Sequence, residues 1–109
     1  VRSYDITQAV EVLISPGDDE QFTAPYTLGG VEVLLEFAWA PRLSSWRLIT
    51  RAPNGDVIAS SRISPGATLW PDITDPRLPR GLLYAVGVDP YRRDELGSAV
   101  RIGFIPEVA

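Results

Sequence analysis

Carboxylates are the side chains of this sequence best equipped for acid–base or cation chemistry. Its 109 residues include no Cys, His, Met or Lys. Without Cys there is no thiol nucleophile, thiolate ligand or disulfide, and the redox compartment is left open. Without His the usual general base near neutral pH and the commonest metal ligand are missing. Without Lys there is no Schiff-base amine and no phosphate-loop lysine. Three groups of acids remain. Asp18-Asp19-Glu20 follow Pro16-Gly17, but a calcium loop alternates its oxygen donors along the chain, so this contiguous trio reads as a solvated turn. Asp72 and Asp75 lie in a proline-rich stretch, where Asx hydrogen bonds to the backbone are their expected role. Glu32 and Glu36 fall on the outer face of an alternating run, as solubilising and edge-protecting charges. None of these spacings demands the convergent acid pair of a hydrolase. The expectation is a protein that is not an enzyme, with no catalytic residue, no metal and no cofactor.

Cations and aromatics point to contacts rather than chemistry. All ten cations are Arg, scattered along a chain of net charge −4. A nucleic-acid binder needs a concentrated cationic stripe, so direct binding of DNA or RNA is not expected. Trp39 and Trp46 flank the loop 40–45, close enough to meet if the two flanking strands pair. They continue apolar faces and read as core anchors, with a sugar-stacking platform as the functional alternative. Trp70 stands beside Pro71 outside any alternation, where an indole either pins the loop or meets a partner. Arg42 sits at the tip of the Trp39–Trp46 loop, and Arg77 and Arg80 lie in the irregular stretch. Irregular, proline-stiffened loops expose such side chains, so Arg42, Trp70, Arg77 and Arg80 are the candidate partner-interface residues. Truncating Trp70 to Ala is expected to abolish assembly and leave the fold intact.

Strands must position these groups, because the hydrophobic period is two. In Gly30–Trp39, Val31, Val33, Leu35, Phe37 and Trp39 share one face, and Pro41 stops the run by lacking a ladder donor. Further strands are expected at Gln8–Ile14, Gln21–Leu28, Ser45–Ala52, Asp56–Ile63, Leu82–Val88 and Ala99–Ile105. Pro25 makes the second of these an edge or a bulged strand. Asn54-Gly55, a pair that tolerates positive φ at both central turn positions, is the strongest short hairpin signal; in the returning strand Val57, Ala59, Ser61 and Ile63 are expected to share one face, and Pro65-Gly66 marks a tight turn. In Ala99–Ile105, Val100, Ile102 and Phe104 share a side, and in the preceding run Leu82, Tyr84, Val86 and Val88 alternate. Pro90–Gly97, capped by Asp89, is the single helix candidate, with a polar turn as the alternative. Trp70–Arg80, broken by Pro71, Pro76 and Pro79, reads as one long proline-rich loop. The expectation is one all-β domain over residues 1–109, a small antiparallel β-sandwich or partly open barrel of about seven strands. No apolar stretch approaches the ~20 residues of a membrane span, and no signal peptide is expected.

The order of these pieces resembles a known family. Phe22-x-x-x-x-x-Leu28-x-Gly30, Arg42, Trp46-x-Leu48, Gly55-x-x-Ile58, Ile63-x-x-Gly66-x-x-Leu69, Pro79-x-Gly81-x-Leu83 and Leu96-Gly97 before Ile102-x-Phe104 follow one another as in the small baseplate plug proteins of contractile-tailed bacteriophages. The resemblance runs from about Val10 to Phe104. It implies a structural virion component, assembled in the host cytoplasm, that closes the centre of the tail baseplate. The partners it implies are hub, tube and tape-measure proteins, with several copies around the tail axis. A carbohydrate-binding β-sandwich is the alternative from a different class.

Overall fold

The computed structural model describes residues 4–14, 20–70, 76–89 and 91–107. Among the described residues seven strands form two antiparallel sheets. They are β1 (Val10–Val12), β2 (Gln21–Leu28), β3 (Val31–Ala40), β4 (Ser45–Arg51), β5 (Val57–Arg62), β6 (Gly81–Val86) and β7 (Arg101–Pro106). A four-stranded sheet has the order β2-β3-β4-β5, and a three-stranded sheet the order β1-β7-β6. The sheets do not close into a barrel; the protein is a small all-β sandwich.

Alternation sets the buried faces. Val33, Leu35 and Phe37 of β3 and Trp46, Leu48 and Thr50 of β4 point inward, against Leu83 and Ala85 of β6 and Ile102 and Phe104 of β7. Burying such aliphatic and aromatic side chains contributes roughly 1.5–3 kcal/mol each, which is the main force holding the two sheets together. Pro41 does end β3, as expected.

Glycines make the tight connections. Gly29 and Gly30 both have positive φ, 58° and 81°, the two-residue turn whose twist matches that of paired strands. At Asn54-Gly55 the expected hairpin joins β4 to β5, with Gly55 and not Asn54 at positive φ, 98°. The turn closes from the Gly55 amide to the Ala52 carbonyl at 2.8 Å, and the Asn54 carboxamide accepts from the Asp56 amide at 3.1 Å. The register then slips, with Thr50 opposite Ala59 but Arg51 opposite Val57. Ile58 is the extra residue, and the bulge moves Val57 onto the outer face with Arg51. The expected common face of Val57 and Ala59 is thereby broken.

β2 is an edge strand, as Pro25 implied. The Trp39 amide donates to the Glu20 carbonyl, so by alternation residues 22, 24, 26 and 28 turn their backbone groups toward β3. Pro25 therefore lies at an outward position. It costs the ladder nothing and removes a donor from an open edge. The edge of β6 is covered instead. Gly66 and Leu69 donate backbone bonds to Ala85 and Leu83, following the expected Pro65-Gly66 turn, in which Gly66 has φ 87°.

Two other expectations are corrected. The first strand is only three residues long, because Asp5 accepts a bond from the Thr7 amide at 3.1 Å and caps a 3-10 turn at Ile6–Gln8. In the expected helical segment the helix shrinks to a 3-10 turn at Arg93–Glu95. Its N-cap is Arg92, whose amide donates to the Glu95 carboxylate at 2.6 Å, while Asp89 pairs with Arg62 instead of capping. Pro90, Pro71 and the Pro16-Gly17 turn lie outside the described residues.

Candidate functional site

The four candidate interface residues occupy opposite ends of the four-stranded sheet. Arg42 is exposed in the β3–β4 turn beside Leu43, which is 61% exposed. Ser44 closes that turn with φ 48°, a left-handed conformation taken by a residue that carries a β carbon. Trp70, Arg77 and Arg80 lie at the other end, Trp70 and Arg77 toward the β4–β5 turn and Arg80 beside the β2–β3 turn. Seven-residue β4 separates the two ends by roughly 20 Å at ~3.3 Å per residue.

At the second end, Trp70 turns inward. Its indole N–H donates to the Thr50 hydroxyl at 2.9 Å, and its ring meets Phe104 edge-on at 6.2 Å. Of the two roles open to Trp70, the contacts are those of a loop pin, and a Trp70→Ala variant does not separate docking from stability. Arg77 reaches Asp56 at 3.2 Å with both side chains well exposed. Between Arg77 and Arg80, Leu78 and Pro79 are buried and anchor the segment. Arg80 is exposed, and its carbonyl accepts from the Glu107 amide at 3.1 Å.

The carboxylates divide in the same way. Glu36 was expected as an exposed edge charge, yet β3 is an inner strand and Glu36 is buried. It is covered by Arg51 at 3.0 Å and by the Gln21 carboxamide at 2.9 Å, both donors, so the carboxylate is engaged from two sides. Glu32 is exposed. Among the described residues no group of three acids is placed to hold a metal ion. Asp18, Asp19, Asp72 and Asp75 lie outside the described residues.

Trp39 and Trp46 pair directly across β3 and β4, with rings 5.6 Å apart at 63°. They meet as expected, but Trp46 is fully buried and its indole N–H is committed to the Arg93 carbonyl at 3.0 Å. A stacking platform made of both indoles is not formed.

Two features escaped the sequence reading. Tyr91 is buried, and its hydroxyl donates to the Ile63 carbonyl at 2.7 Å while accepting from the Trp46 amide at 2.9 Å. One phenol thereby ties the segment before β7 to β4 and to the residue that follows β5. Burial pushes its ionisation above the ordinary tyrosine value, outweighing the opposing effects of the Trp46 amide and Arg62. Tyr91 lay inside a helix candidate, and nothing in its neighbours marks a remote hydrogen bond. The second feature is the outer face of the three-stranded sheet. A groove of about 290 Å³ opens there, and a second of about 280 Å³ lies toward the end of β1 beside Leu13 and Gly97; Glu11 and Arg101 line both. The signal was present: β6 is apolar at both Leu82-Tyr84-Val86 and Leu83-Ala85, and the structure buries only the second set.

Among the described residues no helix is long and apolar enough to cross a membrane. Comparison with protein-family models, with curated proteins and with solved structures finds no match.

Proposed function

We propose that this chain is a non-enzymatic assembly module, a plug at the centre of a contractile phage tail baseplate that contacts hub, tube and tape-measure proteins. The observation that carries the reading is the order of motifs from Phe22 to Phe104, quoted above as a resemblance. Several of those positions are the ones that build the sandwich. Gly30, Gly55 and Gly66 shape turns, and Trp46, Leu48, Ile63, Leu69, Leu83, Ile102 and Phe104 fill the core. A framework of this kind supports short, stiff turns whose exposed tips are free to meet neighbours. The Arg42-Leu43 tip offers a guanidinium fork beside an apolar side chain, a composition suited to the rim of a protein interface. On this reading several copies surround the tail axis within the virion, with no direct contact to nucleic acid.

The test is incorporation into tails. A double variant, Arg42→Glu with Leu43→Asp, changes only exposed positions and should melt at the temperature of the parent protein. It should fail to enter purified tails that the parent protein enters. Unaltered incorporation of the variant, or purified tails that never contain the parent chain, would overturn the proposal. Saturable quenching of tryptophan fluorescence by oligosaccharides would favour a carbohydrate-binding module in its place.

A further inference from the structure

The smaller sheet has two apolar faces and uses one. The inner face, with Leu83, Ala85, Ile102 and Phe104, is packed on the larger sheet. Register places Leu82 opposite Ile105, Tyr84 opposite Gly103 and Val86 opposite Arg101 on the outer face, with Glu11 beside Gly103 on β1. That face therefore holds Leu82, Tyr84, Val86 and Ile105 with two charges only. Strands that are apolar on both sides belong to sheets covered on both sides. The exposure pattern agrees. Of the seven large hydrophobics that stand most open among the described residues, Val86 (56%) lies on this face and Ile6 (75%), Leu13 (74%) and Val88 (78%) flank the sheet, while Val10 (49%), opposite Phe104, belongs to the inner side.

We propose that the outer face of β1-β7-β6 is a two-fold contact with a second copy of this chain. Charge is the argument for a like partner. Glu11 and Arg101 stand side by side on the face, 3.6 Å apart, with side chains 45% and 64% exposed. A two-fold axis beside them brings each Glu11 to the Arg101 of the other copy and each Arg101 to the other Glu11. The same patch then complements itself, as isologous contacts require. Shape agrees with charge. The two side chains line two neighbouring grooves, one bounded also by Tyr84, Val86 and Gly103 and the other by Val12, Leu13, Ile14 and Gly97 toward the end of β1. The Glu11–Arg101 pair of one copy then faces a groove of the other. A side chain on Gly103 would occupy the space taken by the Tyr84 ring, so that ring lies across Gly103 and adds to the apolar surface. The three strands alone cover about 10 Å by 17 Å, roughly 170 Å² a side, and even with the flanking Ile6, Leu13 and Val88 the contact falls short of the ~800 Å² a side of a standard stable interface. The dimer is accordingly a weak, transient one. The inference stands independently of the baseplate reading.

Sedimentation equilibrium of the purified chain from about 1 µM to about 1 mM tests it. The mass should rise from 11.9 kDa to twice that value and stop there. Val86→Asp should hold the chain monomeric. Glu11→Arg alone and Arg101→Glu alone should each weaken the dimer by about tenfold or more, because each places two like-charged pairs across the axis. Mixing those two variants should restore a dimer. The arginine introduced in one chain then meets the glutamate introduced in the other, and the remaining cross-axis pair is the native one. A pair that acts only within one chain gains nothing from mixing. Circular dichroism melts confirm that these exposed substitutions leave the fold in place. A chain that stays monomeric throughout, a mass that climbs past two copies, or single variants that fail to recover on mixing would each overturn the proposal. A monomer would leave the face to a different protein.

Discussion

The indole N–H of Trp70 donates to the hydroxyl of Thr50 at 2.9 Å, and Thr50 is itself on the buried face of β4. A single polar bond therefore fastens the start of the proline-rich stretch to the interior of the larger sheet. The ring that bears it also leans on Phe104 of the smaller sheet. Trp70 thus touches both layers of the sandwich where the loop departs.

Substitutions at this bond should separate packing from hydrogen bonding. Trp70→Phe keeps an aromatic ring against Phe104 and loses the donor, and should cost about 1 kcal/mol. Trp70→Ala loses the ring as well and should cost about 3 kcal/mol. Urea unfolding followed by circular dichroism measures both. Equal losses for the two variants would show that the hydrogen bond, and not the ring, carries the contact.

Alkaline pH should act through Tyr91. Burial raises the phenol above its ordinary value of 10.0, so the folded chain holds this proton more tightly than the unfolded chain does. The resulting stability is complete below the unfolded value and declines as pH rises through the raised folded value. The half-buried Tyr26, whose ionisation is raised for the same reason, adds to the decline. Tyr91→Phe should lose about 1–3 kcal/mol near neutral pH, because the Trp46 amide and Ile63 carbonyl lose a buried partner. Its stability should also fall less steeply than that of the parent protein above about pH 10. Denaturant midpoints from about pH 8 to about pH 11 for both proteins test the direction, and parallel curves would contradict it.

Two strand glycines should differ sharply when replaced by alanine. A β carbon on Gly81 would lie 2.5 Å from the Ile105 carbonyl oxygen and 2.5 Å from the Phe104 ring, and the backbone of the paired strand cannot move aside. Gly81→Ala should cost about 2–3 kcal/mol. On Gly103 the obstacle is the far end of the Tyr84 side chain, which can swing outward. Gly103→Ala should cost about 1 kcal/mol or less in stability. Thermal melts rank the pair, and a larger loss at Gly103 would show that the Tyr84 ring is held as firmly as backbone.

Period-two alternation along Val31–Trp39, Gln21–Leu28 and Ala99–Ile105 was enough to read strands, an all-β class and most of the core, because a strand's inward residues are separated by two and need no partner to be recognised. Pro25 and Pro41 were equally legible, since a missing N–H has the same meaning in any sheet. Other matters depended on which surfaces meet. Leu82-Tyr84-Val86 and Leu83-Ala85 are equally apolar, and only the packing of β6 on the larger sheet selected the second set. Glu36 looked like an edge charge until β2 and β4 closed on both sides of it and Arg51 covered it. Trp70 could face in or out until the Thr50 hydroxyl arrived from twenty residues earlier. Local chemistry sets what each segment can form, because its backbone and side chains carry that information themselves. Which face is buried, which charge is paired and which loop is pinned are set by contacts between residues far apart in the chain, and those exist only once the two sheets have come together.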